Sequence, residues 1–137
     1  KGDRLLLHDA FGTITYKGPG YFFAGGTGIT PFLSILRDLA KKKKLKGNTL
    51  VYSNKTADDV ILDEELSGML GSNFLKTFTR QGVIGFLDRR IDSNVLITLI
   101  QDFDQFFYLC GPKEFVTDLQ RKLVELGADP ETLVFEE

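Results

Sequence analysis

From residue 21 onward, short runs dense in Phe, Val, Leu and Tyr alternate with longer stretches in which apolar residues recur every three or four positions. Continuous apolar runs suit strands buried on both faces, and amphipathic stretches suit the helices that cover them. The pattern therefore predicts an α/β fold. Five strands are expected, at 21–24, 49–53, 75–79, 105–109 and 132–135. Most intervals between them are long enough for the crossovers that parallel strands need. The expected architecture is a three-layer, doubly wound, five-stranded parallel sheet.

The helices have legible ends. Thr30 is expected as the N-cap of the first helix and Pro31 as its first residue, where a missing N–H costs nothing. Phe32, Ile35, Leu36 and Leu39 would face inward. Lys41, Lys42, Lys43 and Lys44 would occupy the last turn, at the negative end of the helix dipole, with Gly47 as breaker. Shorter helices are expected at 63–70 and, from a Ser or Asp cap, at 93–100. A long one at 113–126 would bury Val116, Leu119, Leu123 and Leu126 and stop at Gly127.

The first twenty residues break the pattern. Two stretches, 4–8 and 13–16, read as antiparallel strands joined through Asp9-Ala10-Phe11-Gly12, a hairpin that is marginal by itself in water. Lys17-Gly18-Pro19-Gly20 follows as a turn-rich joint. The hairpin looks like the tail of another β structure.

Composition narrows the function. A chain of 137 residues suits one domain of ordinary size, and 42% hydrophobic residues suffice for a packed core. With 17 Lys+Arg against 19 Asp+Glu, the net charge of −2 argues against a broad nucleic-acid surface. The single Cys110 excludes an internal disulfide and any multi-Cys metal site, which favours a reducing compartment such as the cytoplasm. No apolar run is long enough to span a membrane, and the start, Lys1-Gly2-Asp3-Arg4, does not resemble a signal peptide.

The richest chemistry lies in Ala24-Gly25-Gly26-Thr27-Gly28-Ile29-Thr30-Pro31, between a strand and a helix. Glycines let the backbone approach a phosphate closely, and the helix N-terminus offers a positive dipole end. The stretch is not the G-x-G-x-x-G dinucleotide fingerprint, because Pro31 stands at the last Gly, and no Lys-Ser/Thr pair makes it a phosphate loop. By itself it is equally a tight corner or a phosphate site. It closely resembles the G-G-T-G-[ILV]-[TA]-P motif of the ferredoxin–NADP(+) reductase superfamily. Phe107-Tyr108-Leu109-Cys110-Gly111-Pro112 is similar to that superfamily's Y-x-C-G-P motif, in which the Cys lies beside the nicotinamide.

The resemblance runs through the whole chain. Residues 2–12 are similar to the closing strands of the family's flavin-binding barrel, Gly85-Phe86-Leu87-Asp88 to the glycine turn after its third strand, and 129–137 to its terminal strand. The family's flavin motif R-x-Y-[ST] has no counterpart here and belongs upstream of residue 1. The resemblance thus implies a division into 1–20, the end of a truncated flavin barrel and joint, and 21–137, an NAD(P)-binding domain. It implies transfer of hydride from a nicotinamide to FAD or FMN held by the upstream domain, then of single electrons to ferredoxin, flavodoxin or a fused redox centre. Gly25, Gly26, Thr27, Gly28, Thr30 and Pro31 would hold the pyrophosphate. Cys110, Gly111 and Pro112 would meet the nicotinamide, with Cys110 helping to position it.

NAD and NADP differ at the adenosine ribose, where a carboxylate accepts from a free 2′-OH and cations hold a 2′-phosphate. Lys55 follows the second strand, with Asp58 and Asp59 beyond it, and Thr79-Arg80-Gln81 resembles the S-R pair of NADP-using members. Lys55, Thr79 and Arg80 favour NADPH over NADH, with Thr replacing Ser and no further Arg or Tyr evident.

Hydride transfer asks little acid–base chemistry of the protein. The only His, His8, lacks a nucleophile partner, and Asp63, Glu64 and Glu65 suit a helix start rather than catalysis. Phe135 is expected to finish the last strand in the core rather than to cover a flavin. Two other classes remain open: a non-catalytic nucleotide-binding module, and an FMN-carrying flavodoxin-like carrier, which the few hydroxyls of the glycine turn disfavour.

Overall fold

A computed structural model of the chain describes residues 14–54, 62–78, 91 and 93–135. Among the described residues nine main elements alternate: β1 Gly20–Gly25, α1 Ile29–Lys41, β2 Thr49–Asn54, α2 Asp63–Leu70, β3 Phe74–Phe78, α3 Ser93–Leu99, β4 Phe106–Cys110, α4 Lys113–Glu125 and β5 Leu133–Phe135. The five strands form one sheet in the order β3-β2-β1-β4-β5, with every neighbouring pair parallel. The α/β doubly wound architecture expected from the sequence is the one found.

Register decides the faces. Phe22 and Ala24 of β1 lie level with Leu50 and Tyr52 of β2 and with Tyr108 and Cys110 of β4, and this face packs against Phe32, Leu33 and Leu36 of α1 and Leu66 and Leu70 of α2. Phe23, Val51, Phe107 and Leu109 point the other way, against Val95 and Leu96 of α3 and Val116, Leu119 and Leu123 of α4. Phe22, Phe23, Phe107 and Leu109 are wholly buried, as strands covered on both sides require.

The helix ends teach two corrections. Helix α1 does not start with Thr30 as N-cap; its cap is Gly28, in right-handed helical conformation and without a side-chain cap. A 3-10 turn over Gly26–Gly28 has already wound the chain, so the helix continues from it, and Pro31 falls at the third helical position, where the N–H still has no helical acceptor. At the far end only Lys41 is helical. Lys43 takes the left-handed conformation, φ 60°, while the Lys43 and Lys44 amides donate to Ala40 and Leu39, so the basic run forms the C-cap itself before Gly47 is reached. Helix α4 ends as expected: Gly127, φ 120°, and Ala128 return amide bonds to Val124 and Leu123.

Strand 105–109 is shifted by one residue, to Phe106–Cys110, which puts Cys110 on the strand itself. Phe135 packs against the α3/α4 side of the core. Of the hairpin, 4–8 lies outside the described residues, and Ile14, Thr15 and Tyr16 carry no strand among the described residues. Instead Ile14 is buried in the α1/α2-side cluster with Tyr108 and Val134, and Tyr16 packs on that cluster.

Candidate functional site

Strand β1 continues through α1 to β2 on one side, whereas its other neighbour is β4, reached only after β3. Such a reversal opens a crevice at the C-terminal ends of the two central strands. Here those ends are level, with Ala24 opposite Cys110. The two glycine-bearing motifs therefore meet, and helices α1 and α4 both begin at this edge, directing two positive dipole ends toward it.

Contact between the motifs is made by backbone. A Cβ on Gly28 would fall 2.3 Å from the Cys110 carbonyl oxygen and 2.7 Å from the Gly111 nitrogen, so no other residue fits without displacing a strand end. Gly26 is glycine for a different reason: its φ is 56°, and a Cβ there would meet no atom within 4 Å. The chain thus enters the 3-10 turn through one left-handed residue, with open space where a side chain would be. Cβ atoms on Gly25 and Gly111 would come within 3.1 Å and 2.9 Å of the Phe115 ring, in the first turn of α4. Phe115 forms the wall of the crevice on that side.

The side chains of the motif follow. Thr30 is exposed in the first turn of α1 and Pro31 is buried beneath it; Thr27 lies within the 3-10 turn. Cys110 ends β4 on the α1 side of the sheet and is 7% exposed. Pro112 is exposed and caps α4. Lys55, Thr79, Arg80 and His8 lie outside the described residues.

The family model described as oxidoreductase NAD-binding domain matches residues 22–121, both motifs included. The chain belongs to this family. It is 30% identical to flavohemoprotein A of Dictyostelium discoideum over 98% of its own length and 35% of that protein. It is 29% identical to NADH–cytochrome b5 reductase 1 of Arabidopsis thaliana, over 95% of this chain and 51% of that one. Among solved structures, the flavohem-like FAD/NAD binding domain of nitric oxide dioxygenase from Vibrio cholerae superposes with a TM-score of 0.81 at 25% identity, covering 90% of this chain and 53% of that one. The chain thus spans between about a third and a half of the length of the curated relatives it matches.

Two residues of this NAD-binding domain carry a signal that the motifs did not reveal. Asn54, the last residue of β2, is 6% exposed, and its Nδ2 donor has no hydrogen-bond partner among the described residues. Thr77 in β3 is fully buried, its hydroxyl likewise unpartnered among the described residues, on the opposite face of the sheet. A buried polar group without a partner costs about 1–3 kcal/mol, so such groups are uncommon in folded proteins.

The acidic start of α2 is structural. Glu65 accepts two hydrogen bonds from Arg37 of α1, at 2.6 and 2.8 Å, and Asp63 accepts from Lys76 of β3 at 3.0 Å. The Arg37 guanidinium, through that hydrogen bond, holds the Glu65 carboxyl below its ordinary range. Among the described residues, no group of His, Cys, Asp and Glu could hold a metal, and no helix is long and apolar enough to cross a membrane.

Proposed function

We propose that the crevice between β1 and β4 holds a nicotinamide dinucleotide, and that the whole protein passes its hydride to a flavin, FAD or FMN, carried by a domain upstream in the same chain. The observation that carries this reading is the open space at left-handed Gly26, set at a helix N-terminus on the topological switch point. The buried Asn54 donor at the same sheet edge, unpartnered among the described residues, is the second sign of fit.

Gly25 to Gly28 bind the pyrophosphate with the dipole of α1, and exposed Thr30 offers a hydroxyl in the same turn. Asn54 donates to an oxygen on the adenosine side. Lys55, Thr79 and Arg80 hold a 2′-phosphate, which favours NADPH, although the Arabidopsis relative is named for NADH. When bound, the nicotinamide supplies a hydride; Cys110, with Gly111 and Pro112, orients the ring, and the buried position of Cys110 keeps water from that face. Electrons then leave one at a time to a ferredoxin, a flavodoxin or a haem protein of the kind named in the relatives. Residues 1–20 close the flavin-binding part and 21–137 form the nucleotide domain, in a cytoplasmic protein.

Calorimetric titration of the 137-residue chain with NADPH and NADH tests the reading. Saturable binding of at least one of them is expected, with NADPH the tighter. Binding of neither overturns the reading. A yellow longer protein whose flavin is bleached by the nucleotide is the corresponding result for the whole enzyme.

A further inference from the structure

Tyr108 belongs to the Y-x-C-G-P stretch, yet its hydroxyl points away from the crevice. It accepts hydrogen bonds from the Lys17 amide at 2.8 Å and the Gly18 amide at 3.0 Å, and donates to the Gly18 carbonyl at 2.7 Å. One donor and two acceptor sites are all a hydroxyl has, so its capacity is filled by a single peptide segment. Burial pushes the hydroxyl pKa up, against the two amide bonds, so the group stays protonated and keeps its donor.

The same segment is held from a second side. The fully buried Asn48 accepts through Oδ1 from the Tyr16 hydroxyl and the Gly20 amide, both at 3.3 Å, and donates through Nδ2 to the Leu45 carbonyl at 3.1 Å. The Tyr16 ring stacks on Tyr108 at 5.8 Å and on Phe22 at 6.3 Å. A Cβ on Gly18 would sit 3.0 Å from the Phe106 ring, so the joint lies flat on β4. Ile14 completes the cover over Tyr108 and Val134, on the face that α1 and α2 cover for the other strands.

We infer that Tyr108 is a positioning residue for hydride transfer: its hydroxyl, with Asn48 and Tyr16, makes the segment 14–20 a rigid strut that fixes the preceding part of the protein to the strand ending in Cys110. This rests on the proposed flavin reading. The strut attaches two residues before Cys110 on the same strand, so a shift of the joint translates into a shift of the upstream part against the nicotinamide site. A loose peptide would leave that distance to diffusion. Ring and hydroxyl have separate tasks: the ring fills the core, stacked on Phe22 at 4.4 Å, and the hydroxyl holds the joint.

Tyr108→Phe keeps the ring and removes the hydroxyl. In the 137-residue chain, the Lys17 and Gly18 amides are expected to exchange slowly with solvent deuterium and to speed up about tenfold in the variant, while the Phe23 and Leu109 amides at the sheet centre are unchanged. In the longer protein, stopped-flow flavin reduction by the nucleotide is expected to slow about tenfold, with nucleotide affinity held within about twofold. Leu126→Ala, destabilising at the far end of α4, serves as control and should lower the melting temperature without slowing reduction. Should Tyr108→Phe fail to fold, Tyr16→Leu is expected to act in the same direction.

Fast exchange at Lys17 and Gly18 in the unaltered chain overturns the inference, as does flavin reduction at the unaltered rate in Tyr108→Phe. A matching loss of nucleotide affinity overturns it too, because the defect would then lie in the crevice. If the longer protein carries no flavin, the proposed function fails separately, and the amide exchange decides whether the strut exists.

Discussion

Gly28 faces the peptide joining Cys110 to Gly111 so closely that a Cβ would meet it, and the turn after β1 and the turn after β4 meet there backbone to backbone. That contact makes one crevice out of two motifs far apart in the chain.

A methyl group at position 28 would lie 2.3 Å from the Cys110 oxygen, and the two central strand ends would have to part. Gly28→Ala is expected to destabilise the domain by roughly 1–3 kcal/mol, the usual cost of forcing a methyl into packed atoms, and to abolish nucleotide binding. Gly26→Ala meets no atom and is expected to cost only about 1–2 kcal/mol of left-handed strain while still weakening the nucleotide. Thermal unfolding and calorimetry on both variants separate clash from lost ligand space. Equal binding by Gly28→Ala and the unaltered chain would contradict the placement of the site.

Cys110→Ala removes a buried sulfur at the strand end and leaves the backbone of the crevice intact. The expected outcome is a fall of about tenfold in hydride transfer with nucleotide affinity nearly unchanged, as for a group that orients rather than binds. Stopped-flow flavin reduction in the longer protein measures it. An unchanged rate would remove Cys110 from the chemistry.

Nucleotide choice separates Arg80 from Asn54. Arg80→Ala is expected to weaken NADPH about tenfold and to spare NADH, because a charge-assisted bond to a 2′-phosphate is lost from one ligand only. Asn54→Leu fills the space without a donor and should weaken both nucleotides alike. Titrations of the two variants with the two ligands decide; parallel losses in Arg80→Ala would argue against a phosphate clamp.

The Asp118 carboxyl lies below its ordinary range: partial burial opposes its ionisation, but hydrogen bonds from Lys122 at 2.7 Å and Arg121 at 2.9 Å outweigh that. Lys122 also donates to the Ile91 carbonyl, tying α4 to the entry of α3. A depressed carboxyl contributes stability above its unfolded pKa of about 4 and loses it as pH falls through the folded value. Asp118→Asn is therefore expected to melt lower than the unaltered chain at pH 7, with the gap closing below about pH 4. A gap independent of pH would show that the ion pair is not its cause.

Much of this fold is written locally. Strand positions came within a residue or two, because a strand covered on both sides must be continuously apolar, and residues such as Phe22, Phe23, Phe107 and Leu109 admit little else. The end of α4 was equally plain, since Gly127 is the usual residue at a left-handed cap. The start of α1 was not. Thr30 and Pro31 carry strong capping preferences, yet the wound turn before them removed the need for a cap.

The candidate site divides along the same line. Glycine turns after β1 and β4 were legible as places of close approach, but what approaches each glycine was not. Only the strand order β3-β2-β1-β4-β5 sets Gly28 against Cys110, buries the Asn54 donor without a partner among the described residues, and lays Lys17 and Gly18 on the Tyr108 hydroxyl. Sequence by itself determined the alternation of elements and put a glycine turn at the end of each central strand, because periodicity and turn chemistry act over a few residues. Tertiary structure decided which of them meet, because those contacts depend on how distant strands are ordered and registered.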